Sequence, residues 1–191
     1  MPLLTNDTWR AWLGESVRAA WDAHEIALWA YVLMPEHVHL LLMPRRIQYN
    51  LSRFLKQRKQ PFSERVFRAL RGTSSLLLKR LRILERPGKD VFRFWQEGPG
   101  HDMNLWSLKK ALEKARYGHR NPVERKWVSS PEQWMWSSFR WLEMGKRAGE
   151  PLSIDDWNPV LLDGVSDPSL QAVCRQQWHD FQDGVWKQVG K

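Results

Sequence analysis

Residues 26–46 read IALWAYVLMPEHVHLLLMPRR. The first half is rich in β-forming residues and stops at Pro35; the second stops at Pro44, and the pair predicts an antiparallel hairpin. Strand side chains alternate faces, so His37 and His39 share one face while Val38 and Leu40 share the other. Two imidazoles on one edge either hold a divalent ion or form a partly buried, hydrogen-bonded pair.

Working outward, 5–24, TNDTWRAWLGESVRAAWDAH, carries Trp9, Leu13, Val17 and Ala20 at helical spacing behind a cap at Thr5 or Asn6. After the hairpin, 50–72, NLSRFLKQRKQPFSERVFRALRG, reads as a basic amphipathic helix interrupted at Pro61, and 74–84, SSLLLKRLRIL, as a further helical piece. Residues 90–98, DVFRFWQEG, read as a strand that leads through EGPGHD into the helix NLWSLKKALEKARYGH at 104–119. The order is that of an α+β protein. The tail DPSLQAVCRQQWHDFQDGVWKQV reads as helical, with Asp167 as cap and Pro168 in the first turn.

The chain has 191 residues, the size of one ordinary domain with an appended tail, and a net charge of +9. From Pro44 to Phe94 there are 15 basic and three acidic residues; from Glu150 to Lys191 there are three basic and seven acidic ones. The excess positive charge therefore lies mid-chain, where it is either a solvated helix face or a surface for polyphosphate, and nucleic acid is the favoured partner. No apolar run approaches the ~20 residues that span a bilayer, and the start does not read as a secretory signal. The single cysteine, Cys174, excludes an internal disulfide and fits a reducing cytoplasm.

The helix at 104–119 places Leu105, Leu108, Leu112 and Ala115 on a buried stripe and Tyr117 roughly opposite it. Asn121 comes one turn later and shares the tyrosine's face if the helix persists to Pro122. Taken with the basic middle, these residues suggest that His37 and His39 hold a divalent ion that polarises a phosphodiester, that Tyr117 attacks the phosphorus, and that Asn121 supplies an oxygen ligand.

WAYVLMPEHVHLLL, RFWQEGPGHD and YGHRNPVERKWVSSPEQWMWSS together resemble the single-tyrosine, His-hydrophobe-His (HUH) transposases of bacterial insertion sequences, in particular the branch associated with repetitive extragenic palindromes (REP elements). Family features cover roughly residues 1 to 142, leaving 143–191 as a C-terminal helical extension. The resemblance implies a ferredoxin-like antiparallel sheet flanked by helices. Relatives also have a strand before PLLTNDTW that this chain starts too late to contain, so the sheet is expected to lack its first strand. It further implies Mg²⁺ or Mn²⁺ on His37 and His39, Asn121 at the third-ligand position, and Tyr117 as nucleophile. The implied reaction is metal-dependent cleavage and rejoining of single-stranded DNA beside palindromic hairpins through a 5′-phosphotyrosine intermediate, in the nucleoid of a bacterial cytoplasm. Both a monomer and a homodimer stay open.

Arg45 and Arg46, just after the histidine strand, are phosphate candidates, and Arg53, Lys56, Arg58 and Lys59 read as the hairpin-binding helix. His119 reads first as a solvated helix-end histidine, Asp102 as a helix cap near Asn104, and most of the 13 tryptophans, Trp95 among them, as packing. The alternative function is a DNA-hairpin-binding protein, derived from such a transposase, that no longer cleaves.

Overall fold

The computed structural model describes residues 2–24, 26–44, 50–73, 76–96, 101–105, 107–146 and 149–155. The chain is α+β, with antiparallel two-stranded sheets and helices. It forms two compact units, one from residues 1–24 and 50–102, the other from 25–49 and 103–191. The tail helix expected from Asp167 lies outside the described residues, as do Arg45, Arg46 and Cys174.

In the first unit, α1 (Asp7–His24) begins behind Asn6, whose side chain accepts the Thr8 N–H at 2.8 Å. Leu13, Val17 and Ala20 are buried, as their spacing predicts. α2 (Leu51–Arg71) is capped by Asn50, which accepts the Arg53 N–H at 2.8 Å. Pro61 does not interrupt α2. An interior proline costs about 3 kcal/mol, but Phe54, Phe62 and Val66 are fully buried on both sides of it, at about 1.5–3 kcal/mol each, so packing outweighs propensity.

The segment read as one helical piece divides into α3 (Leu76–Leu81) and the strand β3 (Arg82–Arg86). β3 pairs antiparallel with β4 (Lys89–Phe92) across Pro87-Gly88, where Gly88 takes the positive φ of 77° that such a turn requires. The expected strand at 90–98 is therefore only its beginning. Phe94 turns inward instead, with its ring 5.9 Å from Trp9 and 4.8 Å from Phe62.

In the second unit, β1 (Ile26–Leu33) and β2 (Val38–Pro44) form the predicted hairpin, closed by the Met34 N–H on the His37 carbonyl at 2.9 Å. A register shift between Leu28 and Ala30 leaves Trp29 as the extra residue of a bulge. The outer edge of β1 is covered: Leu33 N–H bonds Trp136 O, Ser138 N–H bonds Tyr31 O, and Asp155 N–H bonds Leu28 O. Among the described residues β2 pairs only with β1.

α4 (Leu108–Glu124) is capped by Ser107, which accepts the Lys110 N–H at 3.2 Å, so the cap is neither Asp102 nor a residue near Asn104. Ala111 and Ala115 pack into one apolar cluster with Ala27, Trp29 and Ala30, bordered by Leu41 and Met43. These small side chains let the helix lie close on the hairpin. A short helix α5 (Phe139–Met144), not foreseen in the sequence, follows a 3₁₀ turn at Pro131–Gln133.

Candidate functional site

His37, His39, Leu41 and Met43 follow the two-residue period of a strand face. The last two pack in the apolar cluster under α4, and the same face turns polar at its hairpin end. There the two Nε2 atoms lie 2.9 Å apart with the rings edge-on. Gly118 of α4 sits directly over this end: a Cβ there would stand 3.7 Å from His39 Cβ and 3.6 Å from Val32 Cγ2. The helix therefore touches the histidine strand at Gly118, and the residue before it, Tyr117, projects beside the pair. Its ring centroid is 6.3 Å from that of His39, and its side chain is 54 % exposed. Lys114, one turn earlier, places its ammonium 5.7 Å from the centre of the tyrosine ring.

The helix persists past Pro122 to Glu124, which meets the condition for Asn121 to share the face of Tyr117 and Gly118. Asn121 is 5 % exposed, and its Oδ1 is buried without a hydrogen-bond partner. An orphaned acceptor on the helix face that meets His39 is an oxygen available to a cation.

Burial lowers the pKa of both strand histidines. For His37 desolvation leads, Glu36 pulls the other way by less, and Arg125 adds a smaller downward push. His39 is pushed down to about 4, by desolvation first and then by His37 and Arg125. Both rings are thus neutral at neutral pH, the state in which imidazole binds metals. Two nitrogens bound at ~2.1 Å in adjacent octahedral positions lie ~3 Å apart, which the 2.9 Å separation matches. The donor set fits a divalent ion, although among the described residues no group of three or more His, Cys, Asp and Glu converges.

Two residues at the site were not singled out as functional from the sequence. Glu36 Oε1 lies 3.6 Å from His37 Nδ1, and Arg125 Nη1 lies 3.8 Å from the same oxygen. A carboxylate beside Nδ1 favours a proton there and leaves Nε2 as the free lone pair. The signals were present: Glu36 adjoins His37, and Arg125 follows Tyr117 and Asn121 at four-residue steps.

His119 is not a solvated helix-end histidine. It is 1 % exposed, bonded through Nε2 to Ser138 Oγ at 2.9 Å, and pushed down to about 4 by burial. Ser138 in turn accepts the Tyr31 N–H at 3.0 Å, so His119 ties α4 to β1 just behind Tyr117.

The basic residues of α2 belong to the other unit. Arg53 and Lys56 are exposed and Lys59 is half-buried, as a phosphate-binding face needs. Arg58 departs from the expectation. It falls at the four-residue spacing of Phe54, Phe62 and Val66 and is only 6 % exposed, so it lies in the core stripe and not on the exposed basic face.

Compared with protein-family profiles, curated proteins and solved structures, the chain matches none. No helix among the described residues is long and apolar enough to cross a membrane.

Proposed function

We propose that the protein is a metal-dependent enzyme that nicks and rejoins single-stranded DNA beside hairpins, of the HUH transposase kind its sequence resembles. The observation that carries this reading is the close, neutral His37–His39 pair under an exposed Tyr117. His37 and His39, with Asn121 as the oxygen donor, would hold Mg²⁺ or Mn²⁺, which when bound would supply Lewis-acid polarisation of the scissile phosphodiester. Tyr117 Oη forms a bond to phosphorus as the 3′-oxygen leaves; the phenol proton is lost to solvent and the leaving oxygen becomes a 3′-hydroxyl. The phosphotyrosine retains the bond energy, so the 3′-hydroxyl can reverse the attack and reseal the strand without a nucleotide cofactor. Arg45, Arg46, Arg53, Lys56 and Lys59 supply the charge that grips palindromic single strands in the nucleoid.

A second reading, a hairpin-binding protein that does not cleave, is favoured by one observation: the two Nε2 atoms are within hydrogen-bond distance of each other and can satisfy one another without an ion. Incubating the full chain with labelled hairpin oligonucleotides and Mg²⁺ or Mn²⁺, then running denaturing gels, separates the two. A covalent adduct that disappears with EDTA and in Tyr117→Phe supports the enzyme, whereas a native gel shift with no adduct supports the binding protein.

A further inference from the structure

The polar face of α2 is grooved. A cavity of about 410 Å³, within the range of small-ligand sites, is lined by Ser52, Lys56, Lys59, Gln60, Ser63 and Trp95. Trp95 reads as packing in the sequence, but here it forms an aromatic wall. Its ring is braced at 5.1 Å by Phe94 and at 5.4 Å by Phe62, and its indole N–H donates to the Lys59 carbonyl at 3.3 Å. The Ser63 hydroxyl donates to the same carbonyl at 2.7 Å. Two cations approach the ring, the Lys59 ammonium 6.0 Å and the Arg58 guanidinium 5.8 Å from its centre. α2 carries seven basic residues against one acidic residue, Glu64.

We propose that this groove holds one unpaired nucleotide of a single-stranded nucleic acid, its base stacked on Trp95 and its phosphate between Lys56 and Lys59. A fixed aromatic wall beside flanking ammoniums is the arrangement that binds single strands: every base has a π-face to stack, and every nucleotide brings one anion. Burial, and then the neighbouring Arg58, hold the Lys59 ammonium below its ordinary pKa, a cost that a bound phosphate relieves. Gln60 and Ser52, also in the lining, are neutral partners for base edges or sugar oxygens. An acidic peptide would satisfy the lysines but leave the Trp95 wall without a planar partner. The inference rests on the proposed function only for the identity of the polymer as DNA.

The test is fluorescence anisotropy of the full chain with a labelled thymidine 12-mer and with an abasic strand of the same length, over a series of salt concentrations. The intact strand should bind at least about tenfold tighter than the abasic one. Trp95→Leu should close that gap while leaving the affinity for the abasic strand unchanged. The double variant Lys56→Gln/Lys59→Gln should weaken both and lower the slope of log K against log salt by about 0.7, the loss of one phosphate contact. Equal affinity of the unaltered protein for the two strands overturns the proposal, as does tighter binding of polyglutamate than of the thymidine strand. If Trp95→Leu does not fold, the lysine variant and the two-strand comparison still decide. None of these readouts involves cleavage. Base-dependent binding without any adduct therefore removes the nicking reaction and keeps the groove, and an adduct without base-dependent binding does the reverse.

Discussion

In the unit built on β1, β2 and α4, the polar side chains withdrawn from water are neutral or paired: Asn121 and His119 on Ser138 are neutral, the two half-buried strand histidines are held below their ordinary pKa, and the buried Glu150 carboxylate lies 2.9 Å from Arg140 Nε. In the unit built on α1 and α2, Arg58 is a buried cation, set between Phe54 and Phe62 in the core stripe with its Nε unpartnered. Neutral imidazoles keep lone pairs for hydrogen bonds or a metal and can fix geometry to fractions of an ångström. A buried guanidinium can only donate, has no lone pair for a metal, and carries a desolvation cost that lowers its pKa to about 10. The difference separates a unit whose buried polar groups are neutral or paired from one that keeps a cation in its core stripe.

The largest effect should come from removing the hydroxyl of the proposed nucleophile. Tyr117→Phe takes away only the hydroxyl of a side chain that is 54 % exposed, so the melting temperature should stay within a degree or two while adduct formation falls to background. Retention of the adduct in this variant would assign the nucleophile elsewhere.

Next comes the cost of keeping His119 neutral. Its folded-state pKa of about 4 lies below the ordinary 6.5, so the unfolded chain takes up the proton first. The stability that follows from neutral burial is fully present above pH 6.5 and drains away as pH falls from 6.5 through 4, a loss of about 3 kcal/mol. Urea unfolding of the native chain and of His119→Gln, which keeps a partner for Ser138, should show profiles that converge as pH drops over that window. Parallel profiles would mean that His119 titrates normally and does not lock α4 to β1.

Arg58 gives a smaller effect of opposite sign. Replacing a buried cation that has no acidic partner among the described residues by a flexible apolar side chain, Arg58→Met, should stabilise the protein by about 1 kcal/mol, the relief of desolvation exceeding the lost stacking on Trp95. Thermal unfolding decides, and a clear loss of stability would show that the guanidinium is satisfied and that the units do not differ in this way.

Much of this was legible in the sequence where a period or a cap dominated. The hairpin followed from β-forming runs ended by prolines, the shared face of His37 and His39 from alternation, and the exposure of Tyr117 from its angle to the leucine stripe. Where tertiary burial competes with local preference, the sequence misled. Pro61 reads as a break because propensity is local, whereas Phe62 and Val66 are held by a core that propensity does not see. Arg58 reads as surface because arginines usually are, although its spacing from Phe54 and Phe62 already marked the buried stripe. His119 reads as solvated for want of its partner: Ser138 is 19 residues away, and nothing in a one-dimensional pattern joins them.

The smallest effect bears on the contact that assembles the candidate site. Gly118 lets α4 rest on His39, and a methyl group there would meet Val32 Cγ2 at 3.6 Å and His39 Cβ at 3.7 Å, ordinary packing distances. A glycine inside a helix costs up to ~1 kcal/mol relative to alanine. Gly118→Ala should therefore raise stability by about 0.5 kcal/mol and leave adduct formation within twofold. A bulkier side chain has no such room, so Gly118→Leu should push the helix off the strand, lowering stability and the adduct yield together while leaving α2, in the other unit, with unchanged affinity for the thymidine strand. If Gly118→Ala already abolishes the adduct, the tolerance between Tyr117 and the histidines is finer than packing distance, and the unit of β1, β2 and α4 is more exacting than its contacts imply.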